Sequence, residues 1–133
     1  MKTLTLPVIK RWFDMQKEGI KTEEYRKLSN YWFSRLCLMD GKHFTSKQWQ
    51  SYFDFPEAFE HNELVMSFKH FDQTKVTLGY PRHGFTDRIL IFEHLGIEIG
   101  EGKEEWGAIE GELYFVIKHG KRIYDHERTW SSD

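Results

Sequence analysis

The chain has 133 residues, enough for one ordinary domain over residues 1–133 and too few for two. It is 39% hydrophobic and 17% aromatic, a content of large apolar side chains that excludes intrinsic disorder. The net charge of −2 gives no bulk attraction to polyanions, yet residues 1–50 carry a balance of +5 and residues 51–133 one of −7, so the amino-terminal third is where a polyanion would be held.

The lone Cys37 can form no internal disulfide, so no oxidising compartment is required and a cytoplasmic location is expected. Pro7, Lys10 and Arg11 interrupt the segment Met1 to Phe13, which therefore does not read as a signal peptide. No stretch approaches the roughly 20 apolar residues of a membrane span. Secretion and membrane insertion are not expected.

Thr3 to Leu6 reads as a first strand. Pro7 sits where a helix can begin, and Ile9, Trp12, Phe13 and Gln16 follow at helical spacing with one polar lapse at Gln16, predicting a helix from about Pro7 to Glu18. Gly19 is placed to end it in a left-handed conformation. Lys21 to Lys27 reads as a strand, and Ser29 as the cap of a second helix carrying Tyr31, Trp32, Arg35 and Leu36. Asp40 to His61 lacks a clear period and is read as a long excursion with a helical turn after Ser46.

Beyond it the period becomes two. Leu64, Met66 and Phe68, then Val76 and Leu78, separated by the polar turn Asp72 to Thr74, predict a hairpin. A strand from Ile89 towards Ile99, a turn over Gly100 to Gly107 and a last strand at Leu113 to Ile117 complete the chain. The tail from Asp125 to Asp133 is polar and expected to fray. Two early helices followed by several strands adjacent in sequence predict an α+β fold, a twisted sheet or small barrel with helices gathered at one end.

Gly19 to Arg26 carries the densest chemistry. On a strand, Thr22, Glu24 and Arg26 share one face and Glu23 and Tyr25 the other. Lys21 has the wrong parity to join them, but it follows the bend at Gly19, which can redirect its side chain. A lysine, a carboxylate and a guanidinium converging beside a helix end make a site in which Lys21 and Glu24 can move protons and Arg26 can clamp an anion. The alternative is an edge strand bearing ordinary solvated charges.

Gly19, Lys21, Glu24 and Arg26 also reproduce the G-x-K-x-x-E-x-R signature at all four fixed positions, and here the chain resembles the ASCH domain family, relatives of the PUA domain. Tyr31-Trp32 and Arg35-Leu36, then Glu105-Trp106-Gly107-Ala108 followed by Tyr114 to Lys118, extend the likeness over most of the chain. The resemblance implies a PUA-like small β-barrel with mixed or antiparallel strands and flanking helices, the signature lining a cleft. It also implies engagement of RNA, a nucleotide or a modified nucleoside. Some members are amidohydrolases of acetylated cytidine using a Lys, a Thr and a Glu. Lys21 matches that Lys, but Glu24 stands where those hydrolases have Thr, so the hydroxyl nucleophile is missing from its place.

Trp32 and Arg35 lie at i and i+3, where a Trp can stack on a base and an Arg can meet a phosphate; the plainer alternative is a core Trp and a rim charge. Tyr80 to Gly84 reads as a turn after a strand, a plain connection that needs no function, although loops of this kind can reach over a cleft. The seven histidines show no metal-ligand spacing, so no metal and no cofactor is expected. Cys37 between two leucines reads as a buried small hydrophobe. Gly102-Lys103 lacks the Ser/Thr of a phosphate loop and reads as a solvated turn.

The leading expectation is a domain that binds RNA or a modified nucleoside, with Lys21 and Glu24 as candidate catalytic groups and Gly19, Thr22, Arg26, Trp32 and Arg35 as candidate ligand-binding residues. An amide hydrolase acting on an acylated nucleobase and a non-catalytic protein-interaction module stand beside it.

Overall fold

A computed structural model describes residues 1–60, 63–82 and 86–124. The fold is α+β: a curled half-barrel sheet of five strands with three helices, joined by a small three-stranded sheet. No helix among the described residues is long and apolar enough to cross a membrane.

Strand β1 (Thr3–Val8) buries Leu4, Leu6 and Val8 and exposes Thr3 and Thr5, the alternation of a half-buried strand. Pro7 lies inside this strand rather than at a helix start, because β1 is an edge: it pairs in parallel with β6 (Gln73–Leu78) on one side and, among the described residues, has no strand on the other. An edge tolerates the missing N–H of proline. The first helix, α1 (Lys10–Lys17), therefore starts three residues later than the sequence predicts, after an extended Ile9. It ends as expected at Gly19, whose φ of +77° lets Ile20 and Lys21 both donate their N–H to the Met15 carbonyl, at 2.9 and 3.1 Å.

Strand β2 (Glu23–Lys27) follows, and then α2 (Asn30–Leu36), capped by the Ser29 hydroxyl accepting from the Trp32 N–H. The excursion from Asp40 onward is more ordered than its composition suggests. β3 (Cys37–Met39) turns back into β4 (Lys42–His43) through Asp40-Gly41, both at positive φ, the dipeptide that two-residue hairpins favour. In place of a single helical turn stands α3 (Ser46–Asp54), opened by a capping box between Thr45 and Gln48.

The predicted hairpin between Leu64–Phe68 and Val76–Leu78 does not form. β5 (Met66–Phe68) pairs with β3, while β6 pairs with β1 and with β7 (Ile89–Glu101). The switch occurs at Asp72, whose carboxylate accepts the Lys2 N–H at 2.7 Å while its own N–H donates to the Lys2 carbonyl at 2.8 Å. Those two bonds pin the start of β6 to the start of β1. β7 and β8 (Leu113–Ile123) are the longest strands, each running past its expected bounds, and the main sheet is ordered β1-β6-β7-β8-β2.

The principal core forms where Leu4, Leu6, Phe115 and Ile117 of the sheet meet Phe33, Leu36, Cys37, Met39 and Trp49. Cys37 is fully buried, and burial pushes its thiol up to about 12, so it is packing and not a nucleophile. A smaller core of Val8, Phe13, Val76, Leu90 and Phe92 lies under α1. A third, of Tyr25, Trp106, Ala108, Tyr114 and Val116, holds the segment after β7 against β2 and β8.

Candidate functional site

In the register of β2 with β8, Glu24 stands opposite Ile117 and Arg26 opposite Phe115. Both Ile117 and Phe115 belong to the principal core, so Glu24 and Arg26 share its side of the sheet, the parity the sequence predicts. β1 and β2 are the two edges of the five-stranded sheet, and Arg26 spans the gap between them. Its Nη2 donates to the Pro7 carbonyl of β1 at 2.8 Å and its Nη1 to the Tyr25 carbonyl at 2.9 Å. The curl of the sheet thus leaves a seam, and the guanidinium bridges it.

Along this seam lies a cleft of about 530 Å³. Glu24 and Arg26 line it together with three tryptophans, Trp12, Trp32 and Trp106. Trp32 has its ring face 5.2 Å from the Arg26 guanidinium, within cation–π range. Trp12 lies against the backbone of Gly107, where a Cβ would come within 2.8 Å of the indole. Trp106 is held by the two tyrosines beneath it: Tyr25 Oη accepts the Lys103 N–H at 2.9 Å, and Tyr114 Oη accepts the Ile109 N–H at 3.0 Å. Lys103 is exposed, as the sequence predicts of a solvated turn, while Gly102 is packed tightly on the Tyr25 ring.

Lys21 does what the bend at Gly19 predicts. Its Nζ donates to Glu24 Oε1 at 3.0 Å and to the Glu23 carbonyl at 2.8 Å, and it lies over the rings of Tyr25 and Trp12 at 4.8 and 5.3 Å. The side chain has no solvent exposure. Burial lowers its pKa, the adjacent Glu24 carboxylate works against that shift, and Arg26 adds to it. Glu24 Oε1 is also 3.7 Å from Arg26 Nη1. One carboxylate therefore stands between two cations.

The sequence reading missed the other half of the network. Gln16 Nε2 donates both to Glu24 Oε2 and to the Trp12 carbonyl, each at 3.0 Å, and Gln16 Oε1 lies 2.7 Å from His119 Nε2. Because the amide nitrogen is the donor on one side, the amide oxygen must accept from His119, which puts the imidazole hydrogen on Nε2 and leaves Nδ1 as an acceptor. The ring stacks on Phe92 at 4.6 Å. Burial first, then the charges of Lys21 and His94, bring the His119 pKa down to about 3. The lapse at Gln16 in an otherwise apolar helix face was the available signal, since a polar residue on a buried face needs a buried partner.

The unfolded chain takes up a proton at position 119 near the ordinary value of 6.5, and the folded chain only near 3. Stability accordingly falls as pH drops through that window, with a slope approaching about 1.4 kcal/mol per pH unit from this group. Urea midpoints measured between about pH 7 and pH 4 should show this slope, and His119→Phe should flatten it. An unchanged slope in that variant would mean that His119 is not the group held neutral.

The remaining candidates are distributed unevenly. Lys21, Gly19 and Thr22 line a second, smaller cavity and not the tryptophan cleft. Thr22 is exposed and contributes its carbonyl, which accepts the His119 N–H at 3.0 Å. Trp32 lines the cleft, but Arg35 is exposed, lies 6.0 Å over Tyr31 and does not line it. Of the turn at Tyr80 to Gly84, Tyr80 is exposed, and His83 and Gly84 lie outside the described residues, as does the tail from Asp125 to Asp133. Compared with known proteins, the chain matches no family model, no curated protein and no solved structure.

Proposed function

We propose that the protein is an ASCH-type, PUA-like domain whose seam cleft binds a nucleobase, carried by single-stranded RNA or by a modified nucleoside. The observation that carries this reading is a carboxylate and a guanidinium, Glu24 and Arg26, lining an aromatic-walled cleft of about 530 Å³ with three tryptophans. A flat, polar-edged ring suits such a site: indole faces stack on it, the carboxylate accepts from ring or exocyclic N–H groups, and the guanidinium donates to carbonyl oxygens. Lys21 and Gln16 serve this chemistry by holding the Glu24 oxygens in place.

Quenching of tryptophan fluorescence by cytidine, acetylated cytidine and short single-stranded RNA tests the reading. Trp32→Ala should weaken binding by about 1–3 kcal/mol, the usual worth of one stacked base. Arg35→Ala should leave it unchanged, because Arg35 stands outside the cleft. Equal binding by wild type and Trp32→Ala, or no binding across the panel, overturns the proposal.

Hydrolysis of an acylated nucleobase is a second reading, favoured by the buried ammonium at 3.0 Å from a carboxylate that faces the cleft. In that case Glu24 is the group that reaches a water in the cleft, and Lys21 acts through it, since a general base must lie within hydrogen-bond reach of the proton it takes. Release of acetate from acetylated cytidine that disappears in Glu24→Gln supports hydrolysis. Turnover surviving that change removes Glu24 from the reaction.

A further inference from the structure

Along β1, alternation turns Thr5 and Pro7 away from the face that buries Leu4, Leu6 and Val8. The parallel register with β6 sets Thr5 beside Lys75 and Pro7 beside Thr77. These four residues, with Tyr80 and Arg82 of the segment that follows β6, line a groove of about 550 Å³. The segment is fixed to the sheet where it begins: the Gly79 N–H donates to the Val8 carbonyl at 3.0 Å, and the Thr77 hydroxyl donates to the Gly79 carbonyl at 2.6 Å.

The charged side chains of this groove are Lys75 and Arg82, with no carboxylate in its described lining. Neither cation has an ion-pair partner among the described residues. They converge here although residues 51–133 carry a balance of −7, so the groove attracts negative charge that the rest of this region repels. Tyr80 is 89% exposed, a flat ring held at the groove and withdrawn from the core. Cations that track a phosphate chain beside an aromatic ring that stacks on bases are the two parts of a single-strand binding site.

The groove adjoins the tryptophan cleft at Pro7, which lines both. Lys75 stands one strand across and two residues back from Pro7. That is a Cα separation of about 8 Å, for a strand spacing of about 4.8 Å and a rise of about 3.3 Å per residue. Burial lowers the Arg26 pKa, and Tyr80, after Glu24, is near enough to counter that shift. The two sites therefore lie side by side across the β1 edge.

We propose that the groove is a second nucleotide subsite, so that the ligand of the cleft is a single strand of RNA two or more nucleotides long. One base stacks among the tryptophans, the chain crosses the β1 edge at Pro7, its phosphate meets Lys75 and Arg82, and the next base lies on Tyr80. The inference rests on the cleft binding a base, and it commits that ligand to a strand, because a free nucleoside leaves the groove cations without a partner. Bases splayed onto side chains in this way belong to single strands and not to a duplex.

Fluorescence titration with cytidine, cytidine oligomers of about two to six nucleotides and inorganic polyphosphate, at several salt concentrations, tests the subsite. The chains compared are wild type, Trp32→Ala, Lys75→Gln, Arg82→Gln and Tyr80→Ala. Oligomers should bind at least about tenfold more tightly than cytidine, and Tyr80→Ala should cost them about tenfold, within the worth of one stacked base. Lys75→Gln and Arg82→Gln should each reduce the slope of log affinity against log salt by about 0.7. All three groove variants should leave cytidine affinity unchanged. Their positions are exposed or half-buried, so urea midpoints close to wild type should show that the fold is kept. Oligomers that bind no more tightly than cytidine, or that lose nothing in the groove variants, overturn the inference and leave the cleft reading standing. Polyphosphate bound as tightly as the oligomers shows attraction by charge alone and also overturns it. Oligomer binding weakened by the groove variants but not by Trp32→Ala supports the groove and overturns the cleft reading. Absence of binding by cytidine and oligomers alike overturns both.

Discussion

Glu24→Gln should lower the free energy of unfolding by about 3–5 kcal/mol, the usual cost of removing one partner from a buried ion pair. Glu24 is 5% exposed in its side chain and Lys21 not at all, so solvent cannot replace the lost charge. An amide also fails as a hydrogen-bond substitute. Glu24 accepts at both oxygens, from Lys21 and from Gln16, and an NH₂ group placed against Gln16 Nε2 would set donor against donor. Turning Gln16 over would set its amide oxygen against the Trp12 carbonyl, to which Gln16 Nε2 donates. The double change Lys21→Met with Glu24→Leu should recover most of the loss, because well-packed apolar pairs replace buried ion pairs at little or no cost. Urea unfolding of the three variants checks both statements. A single variant within about 1 kcal/mol of wild type would show that the pair is hydrated in solution.

Trp49→Ala is the second large effect expected, about 3–5 kcal/mol from the lost apolar contact and the cavity left behind. Trp49 is fully buried, with ring centroids of Phe33, Phe44, Tyr52 and Phe53 between 5.0 and 6.0 Å away. Its indole Nε1 has no hydrogen-bond partner among the described residues, a defect that offsets part of its packing contribution. Trp49→Phe, which removes that donor while keeping an aromatic ring, should therefore cost much less than Trp49→Ala. Thermal or urea unfolding distinguishes them, and equal losses would mean that the indole N–H is satisfied by solvent. The effect reaches the cleft, because Trp32 packs against this same core. Trp49→Ala should thus weaken stacking ligands even at temperatures where the chain is folded.

The aromatics of residues 40–60 bear on the reading of the chain as a protein-interaction module. Trp49 is core, and Phe44 and Tyr52 pack against the same cluster, so most of that aromatic mass faces inward. Phe53 and Phe55 are exposed, which is ordinary for scattered surface apolar residues.

Local chemistry was legible in the amino-acid sequence wherever it depends on near neighbours. The Ser29 cap, the left-handed Gly19, the shared face of Glu24 and Arg26 and the return of Lys21 to Glu24 all follow from residues within a few positions of one another, where period and turn chemistry govern. Pro7 and the β5–β6 pairing were misread for the converse reason. Whether a proline tolerates a strand depends on which strand lies beside it, and whether two alternating segments pair depends on competing partners elsewhere. β6 pairs with β1 some 70 positions away through bonds at Asp72 and Gln73, and no local pattern encodes that choice.

By itself the sequence determined an α+β chain with a buried aromatic core and a Lys, Glu and Arg drawn together after a glycine bend, because these rest on burial periodicity and backbone stereochemistry. Only the tertiary structure decided that Glu24 and Arg26 face a tryptophan-walled seam while Lys21 lies behind them against a second cavity. Only it joined Gln16 to His119 across 103 positions. Cavities and buried polar networks are made where distant segments meet, and the closing of the sheet's two edges around Arg26 is what brings those segments into contact.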